Sequence, residues 1–95
     1  MKLVSIEPTP ADDKKKFVAI FDKDGRIKRV KFSQKDSNTY TDGASLSVRN
    51  NYRARHARDV TFPVDSPAML SFWITWGDSQ DINKNISAYK KKHNL

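Results

Sequence analysis

The chain has 95 residues, and 18 Lys+Arg against 11 Asp+Glu give it a formal net charge of +7. That length holds a single domain, and the absence of Cys excludes disulfides, thiolate metal sites and cysteine nucleophiles. Charged residues make up 31% of the chain, and it lacks the run of about 18 apolar residues that a membrane-spanning helix needs. The N-terminus has no apolar signal-peptide core, so the expectation is a protein neither secreted nor transmembrane. A basic surface attracts nucleic acid, anionic membranes and acidic proteins without choosing among them.

Lys2–Ile6 reads as a short strand. Pro8 and Pro10 then interrupt regular structure, so residues 1–13 are expected to include an extended N-terminal arm. Residues 14–33 carry the clearest strand signal. Two β-prone runs, Phe17–Phe21 and Ile27–Phe32, flank Asp24-Gly25, which predicts a hairpin turning on that dipeptide. The period of two puts Lys28, Val30 and Phe32 on one face and Arg29 and Lys31 on the other.

Residues 34–43 are polar and read as a loop anchored by Tyr40. A helix is expected over residues 44–58, capped by Asp42 or Ser45, with Val48, Tyr52 and His56 forming a narrow buried stripe. Ser66-Pro67 is a cap and first-turn pair for a short apolar helix to Trp76. Met69, Leu70, Trp73, Ile74 and Trp76 are its expected core residues. Gly77 terminates that helix, and Asp78 or Ser79 starts the last one. Ile82, Ile86 and Tyr89 define the inner face of this helix, and Lys90–Lys92 complement its dipole at the C-terminus. The pattern predicts one α+β domain: a small antiparallel sheet, made of an N-terminal strand plus the hairpin, packed against two or three short helices.

Arg49, Arg53, Arg55 and Arg58 are the strongest binding candidates, because guanidinium forks match carboxylate and phosphate oxygens. Arg29 and Lys31 extend the candidate patch. The competing reading is an ordinary solvated helix face. His56 is expected to pair with Asp59 in a structural role, and His93 to be exposed near the terminus. Trp73 and Trp76 suit a core better than a stacking platform for bases. Asp22, Asp24 and Gly25 lack the downstream Glu of a calcium loop. Two distant His give no zinc spacing. No catalytic residue, cofactor or metal is therefore assigned, and an enzyme is not expected.

The blocks KKFVAIFDKDGRIKRVKF, YRARHARD, LSFWITWGDS and NISAYKKKHN occur in this order. Together they resemble a family of small basic proteins of unknown function encoded by large double-stranded DNA viruses of algae and amoebae. The residues that carry the resemblance are Phe32, then Tyr52, Arg55 and His56, then Leu70, Ser71, Trp76 and Gly77, then Tyr89, Lys90 and Lys91. The chain departs from the family pattern at Thr41-Asp42-Gly43. The resemblance implies a viral origin, with a location in the virion or infected cell, and no reaction. The resulting expectation is a non-enzymatic virion protein, a minor capsid-associated component that bridges larger partners through its basic face, with an acidic protein surface as partner. The alternative is a nucleic-acid-binding protein that neutralises or packages the genome. No membrane partner is expected, and the oligomeric state is left open.

Overall fold

A computed structural model describes all residues, Met1–Leu95. Three strands, β1 (Lys2–Pro8), β2 (Lys15–Lys23) and β3 (Arg26–Gln34), form an antiparallel sheet in the order β1-β2-β3. The helices follow: α1 (Leu46–Arg55), α2 (Pro67–Leu70), which continues as a π-helical turn over Ser71–Thr75, and α3 (Ile82–His93). The α+β class and the hairpin are as expected. No helix is long and apolar enough to cross a membrane.

The hairpin closes on two residues, because Lys23 pairs with Arg26. Both central residues have positive φ, Asp24 at 57° and Gly25 at 88°. This is the turn whose twist matches that of the flanking strands. The Asp22 carboxylate accepts the Gly25 N–H at 2.7 Å and fixes the turn.

Strand β1 holds a bulge that the sequence does not announce. Leu3 pairs with Phe21 and Ser5 with Ile20, which leaves Val4 as an extra, exposed residue. The bulge shifts the phase of the strand, so that Leu3 and Ile6 both reach the core. Residues 1–13 are therefore no free arm. Beyond β1, the Thr9 N–H donates to the Lys16 carbonyl at 3.0 Å, and the Lys35 ammonium donates to the Pro10 carbonyl at 2.9 Å. The C-terminus closes on the same strand, where the Leu95 carbonyl accepts from the Leu3 N–H.

The core lies on one face of the sheet. Leu3, Ala19, Phe21, Val30 and Phe32 meet Met69, Leu70 and Ile74 of the α2–π segment and Tyr89 of α3. Burial raises the Tyr89 phenol above its ordinary value, and its hydroxyl donates to the Val64 carbonyl at 2.6 Å. Trp73 only packs against the edge of this core, whereas Trp76 is buried. Helix α3 starts later than expected, because its cap is Asp81, which accepts the Asn83 N–H at 2.9 Å. His93 is half-buried edge-on against Tyr89, with ring centroids 4.6 Å apart. Burial, aided by Lys92, depresses its pKa.

Candidate functional site

Helix α1 is shorter than the sequence pattern suggests and contributes no buried residue. Ser45 caps it, accepting the Val48 N–H at 3.2 Å. Val48 is exposed, so the expected stripe reduces to Tyr52 and His56. The helix is attached to the domain through side chains that are polar and aromatic rather than aliphatic.

Two of its three arginines provide much of that attachment. The Arg49 guanidinium donates to the Gly77 carbonyl at 3.0 Å and to the Asp78 carboxylate at 2.6 Å. Arg53 donates to the Trp76 carbonyl at 3.2 Å and lies over the rings of Phe72, at 4.1 Å, and Trp73, at 4.8 Å. Burial, and then the nearby Arg49 charge, lower the Arg53 pKa. Both residues are fixed against the turn between the π segment and α3. The four-arginine face expected from the sequence therefore divides. Arg55 and Arg58 are exposed and make no ion pair within the chain, and Arg29 on the outer face of β3 is likewise free. Lys31 is exposed but bridges to Asp13 at 2.6 Å. Arg29 and Lys31 line a shallow groove with Pro63, Ser66 and Pro67.

Most other close ion pairs also consume carboxylates internally. Lys23 and Lys28 converge on buried Asp65 at 3.1 and 2.8 Å, and the hydrogen bond from Lys28 is the main cause that holds its carboxyl below the usual range. Lys16 meets Asp42 at 2.9 Å. Burial alone would raise the Asp42 carboxyl, but the Thr39 N–H, Lys16 and the Thr39 hydroxyl together lower it.

The second feature of α1 is an aromatic stack. Tyr52 lies between Trp76, with centroids 4.2 Å apart and planes within 7°, and His56, at 4.1 Å and 19°. Burial, reinforced by the Asp59 charge, pushes the Tyr52 phenol up to about 12. The His56 Nδ1 lies 3.1 Å from the Asp59 carboxylate, as the sequence spacing suggests. Tyr52, His56 and Asp59 form one wall of a cleft of about 410 Å³. Ser33 and Ser71 contribute to the same cleft. Ser33 adopts φ 64° within β3, and its hydroxyl meets those of Ser71 at 2.9 Å and Thr75 at 2.7 Å. Its conformation has no signal in the sequence, and the π turn that places Ser71 and Thr75 on one side has none either. The Thr39 hydroxyl, fully buried, bonds to Asp42.

An uncharacterized protein of Acanthamoeba polyphaga mimivirus is 38% identical over 71 residues, which cover 65% of this chain and 70% of that protein. No solved structure matches. The model of a family of unknown function, DUF5754, matches residues 4–56, from the bulge of β1 to the end of α1. Together these matches show that the chain belongs to DUF5754, a family of unknown function, and that it has a viral relative.

Proposed function

We propose that the protein is a non-enzymatic virion component that binds an acidic protein surface through Arg55, Arg58 and Arg29, with Lys31 at the margin. The observation that supports this reading is the uneven use of charge. Asp13, Asp42, Asp65 and Asp78 are spent on cations of the same chain, while these three guanidiniums have no carboxylate partner. Exposed arginines without internal partners hold forks for bidentate carboxylate recognition. The His56 ring bonds to Asp59, and the nearby Ser33 and Ser71 hydroxyls bond to each other.

The test is to measure the chain in purified particles of the encoding virus, with shell and genome separated, for the wild type and the Arg55→Glu/Arg58→Glu variant. Recovery with the shell, lost on charge reversal, is the expected result. Absence from particles sinks the reading. The same guanidiniums also fit phosphates, which keeps the genome-binding reading open. If Arg29, Arg55 and Arg58 each contact one phosphate, log affinity for duplex DNA falls against log salt with a slope of about -2.7. Tight DNA binding that persists at physiological salt and is lost on the reversal would favour the genome over the shell.

A further inference from the structure

The stack Trp76–Tyr52–His56 ends in an unfinished position. Tyr52 has an aromatic ring on each face, but His56 stacks on no aromatic ring besides Tyr52, and its side chain remains 41% exposed where it lines the cleft. Asp59, at 3.1 Å from Nδ1, fixes the plane of the imidazole. The ring is therefore a preorganised platform, and a planar ligand that stacks on it has little ordering cost to meet. The cleft volume of about 410 Å³ falls within the range of about 300–1,000 Å³ typical of small-ligand sites.

The polar groups around this platform are of three kinds. Lys15 has an ammonium with no carboxylate partner, and Gln34 and Ser37 have side chains with no hydrogen bond inside the chain. Asp59 uses one carboxylate oxygen on His56, which leaves the other as an acceptor. Ser33 holds a left-handed conformation at φ 64°, unusual for a residue other than Gly in a strand. Strain of this kind concentrates at binding sites.

We propose that this cleft binds a nucleobase that carries a phosphate. The base stacks on the face of His56 away from Tyr52, an exocyclic amino group donates to Asp59, and the phosphate is held at Lys15. The ligand chemistry is the same whether the nucleotide is free or part of a single strand. The site uses His56, Asp59 and Lys15, whereas the acidic-partner reading rests on Arg55, Arg58 and Arg29, so either can fail without the other.

The test titrates CMP, AMP, UMP and inorganic phosphate into the full-length chain, followed by NMR of the His56 ring protons. CMP and AMP are expected to shift these resonances by ring current, and inorganic phosphate is not. His56→Ala should weaken CMP binding about tenfold or more, in line with the loss of one stacked base, and His56→Phe should retain it. Lys15→Ala should weaken CMP but leave cytidine unchanged, and this variant decides the matter if His56→Ala fails to fold. Asp59→Ala should abolish the preference for CMP and AMP over UMP. A short single-stranded oligocytidylate separates the sources. Tighter binding than CMP that Arg55→Glu/Arg58→Glu weakens points to a strand, and equal binding points to a free nucleotide; both support the site. An unchanged His56 spectrum at millimolar CMP overturns the proposal. So does a response to inorganic phosphate equal to that of CMP, or CMP affinity that is the same in the wild type, His56→Ala and Lys15→Ala.

Discussion

Arg49 and Arg53 share one helix with Arg55, and Arg58 follows in the next turn, yet the two pairs have opposite fates. The first two point at the Trp76–Asp78 turn and are held by backbone carbonyls, aromatic faces and one carboxylate. The last two point to solvent and bind nothing in the chain. Residues 49 and 53 lie four apart and so share a face, while residue 55 lies on roughly the opposite side. Charge count is the same for both pairs. The difference is the presence of acceptors on the facing turn, and those belong to residues more than twenty positions away in sequence. An arginine cluster read from composition therefore mixes struts with free cations, and only the packing partner separates them.

The largest expected effect of a single substitution tests the acceptor side of the struts. Gly77 is not in a left-handed conformation; it is required by space. A Cβ there would lie 2.3 Å from the Trp73 carbonyl oxygen and 2.7 Å from the Asn85 side chain. The carbonyl of Gly77 is also the acceptor for Arg49. Gly77→Ala should cost about 3 kcal/mol, the upper part of the overpacking range, because the nearest obstacle is backbone. Urea denaturation measures it, and a loss under about 1 kcal/mol would mean the turn adapts and the strut geometry is loose. Next in size is Arg53→Ala, expected to cost about 2 kcal/mol through lost ring contact and the lost bond to Trp76. Arg53→Lys should recover the smaller part of this, since an ammonium lacks the flat fork that covers two rings. Full recovery by Lys would reduce the strut to a point charge.

The same logic explains what was legible in the sequence. The hairpin was readable because its signals are local: alternation on either side of Asp24-Gly25 needs no knowledge of the rest of the chain. Ser66-Pro67 and the apolar run after it were readable for the same reason. The bulge at Val4 was not, because it is set by which residues face the helices across the sheet. The periodicity of Val48, Tyr52 and His56 continues past Arg55 and suggests a longer helix than α1, because nothing in it marks the change to a tighter turn there. The pairing of His56 with Asp59 was visible at a spacing of three. The stack on Trp76 was not, because it joins residues 24 positions apart. Of the site residues, the sequence named the arginines and His56 but not Ser33 or Lys15 as part of the cleft.

Asp65 extends the contrast to the sheet, where Lys28 is a strut and Arg29 is free. Asp65→Asn should cost about 1 kcal/mol at neutral pH, because both lysines that it pairs with are half exposed and screened. The pH dependence has a definite sign. The folded carboxyl lies below its unfolded value, so the folded state binds the proton more weakly. Its stabilisation is full above the unfolded carboxylate pKa, about 3.9, and is lost as pH falls through the lowered folded value. Stability curves of wild type and Asp65→Asn should therefore converge in acid and separate toward neutral pH. Parallel curves would show that the two lysines contribute nothing through this carboxylate.

The smallest expected effect is the most informative for function. Arg55→Glu/Arg58→Glu removes two exposed cations that have no intramolecular partner, so its folding free energy should stay within about 0.5 kcal/mol of wild type. The net charge falls from +7 by four, which relieves some self-repulsion and offsets any loss at the helix C-terminus, where positive charge suits the dipole. The matched reversal at Arg49 and Arg53 should unfold much of the population, because it breaks the bonds to Gly77, Asp78 and Trp76 and sets new carboxylates against Asp78. Thermal denaturation of the two double variants side by side measures the contrast directly. Equal losses would mean that Arg55 and Arg58 also hold the fold, and their claim to an outside partner would fall with that result.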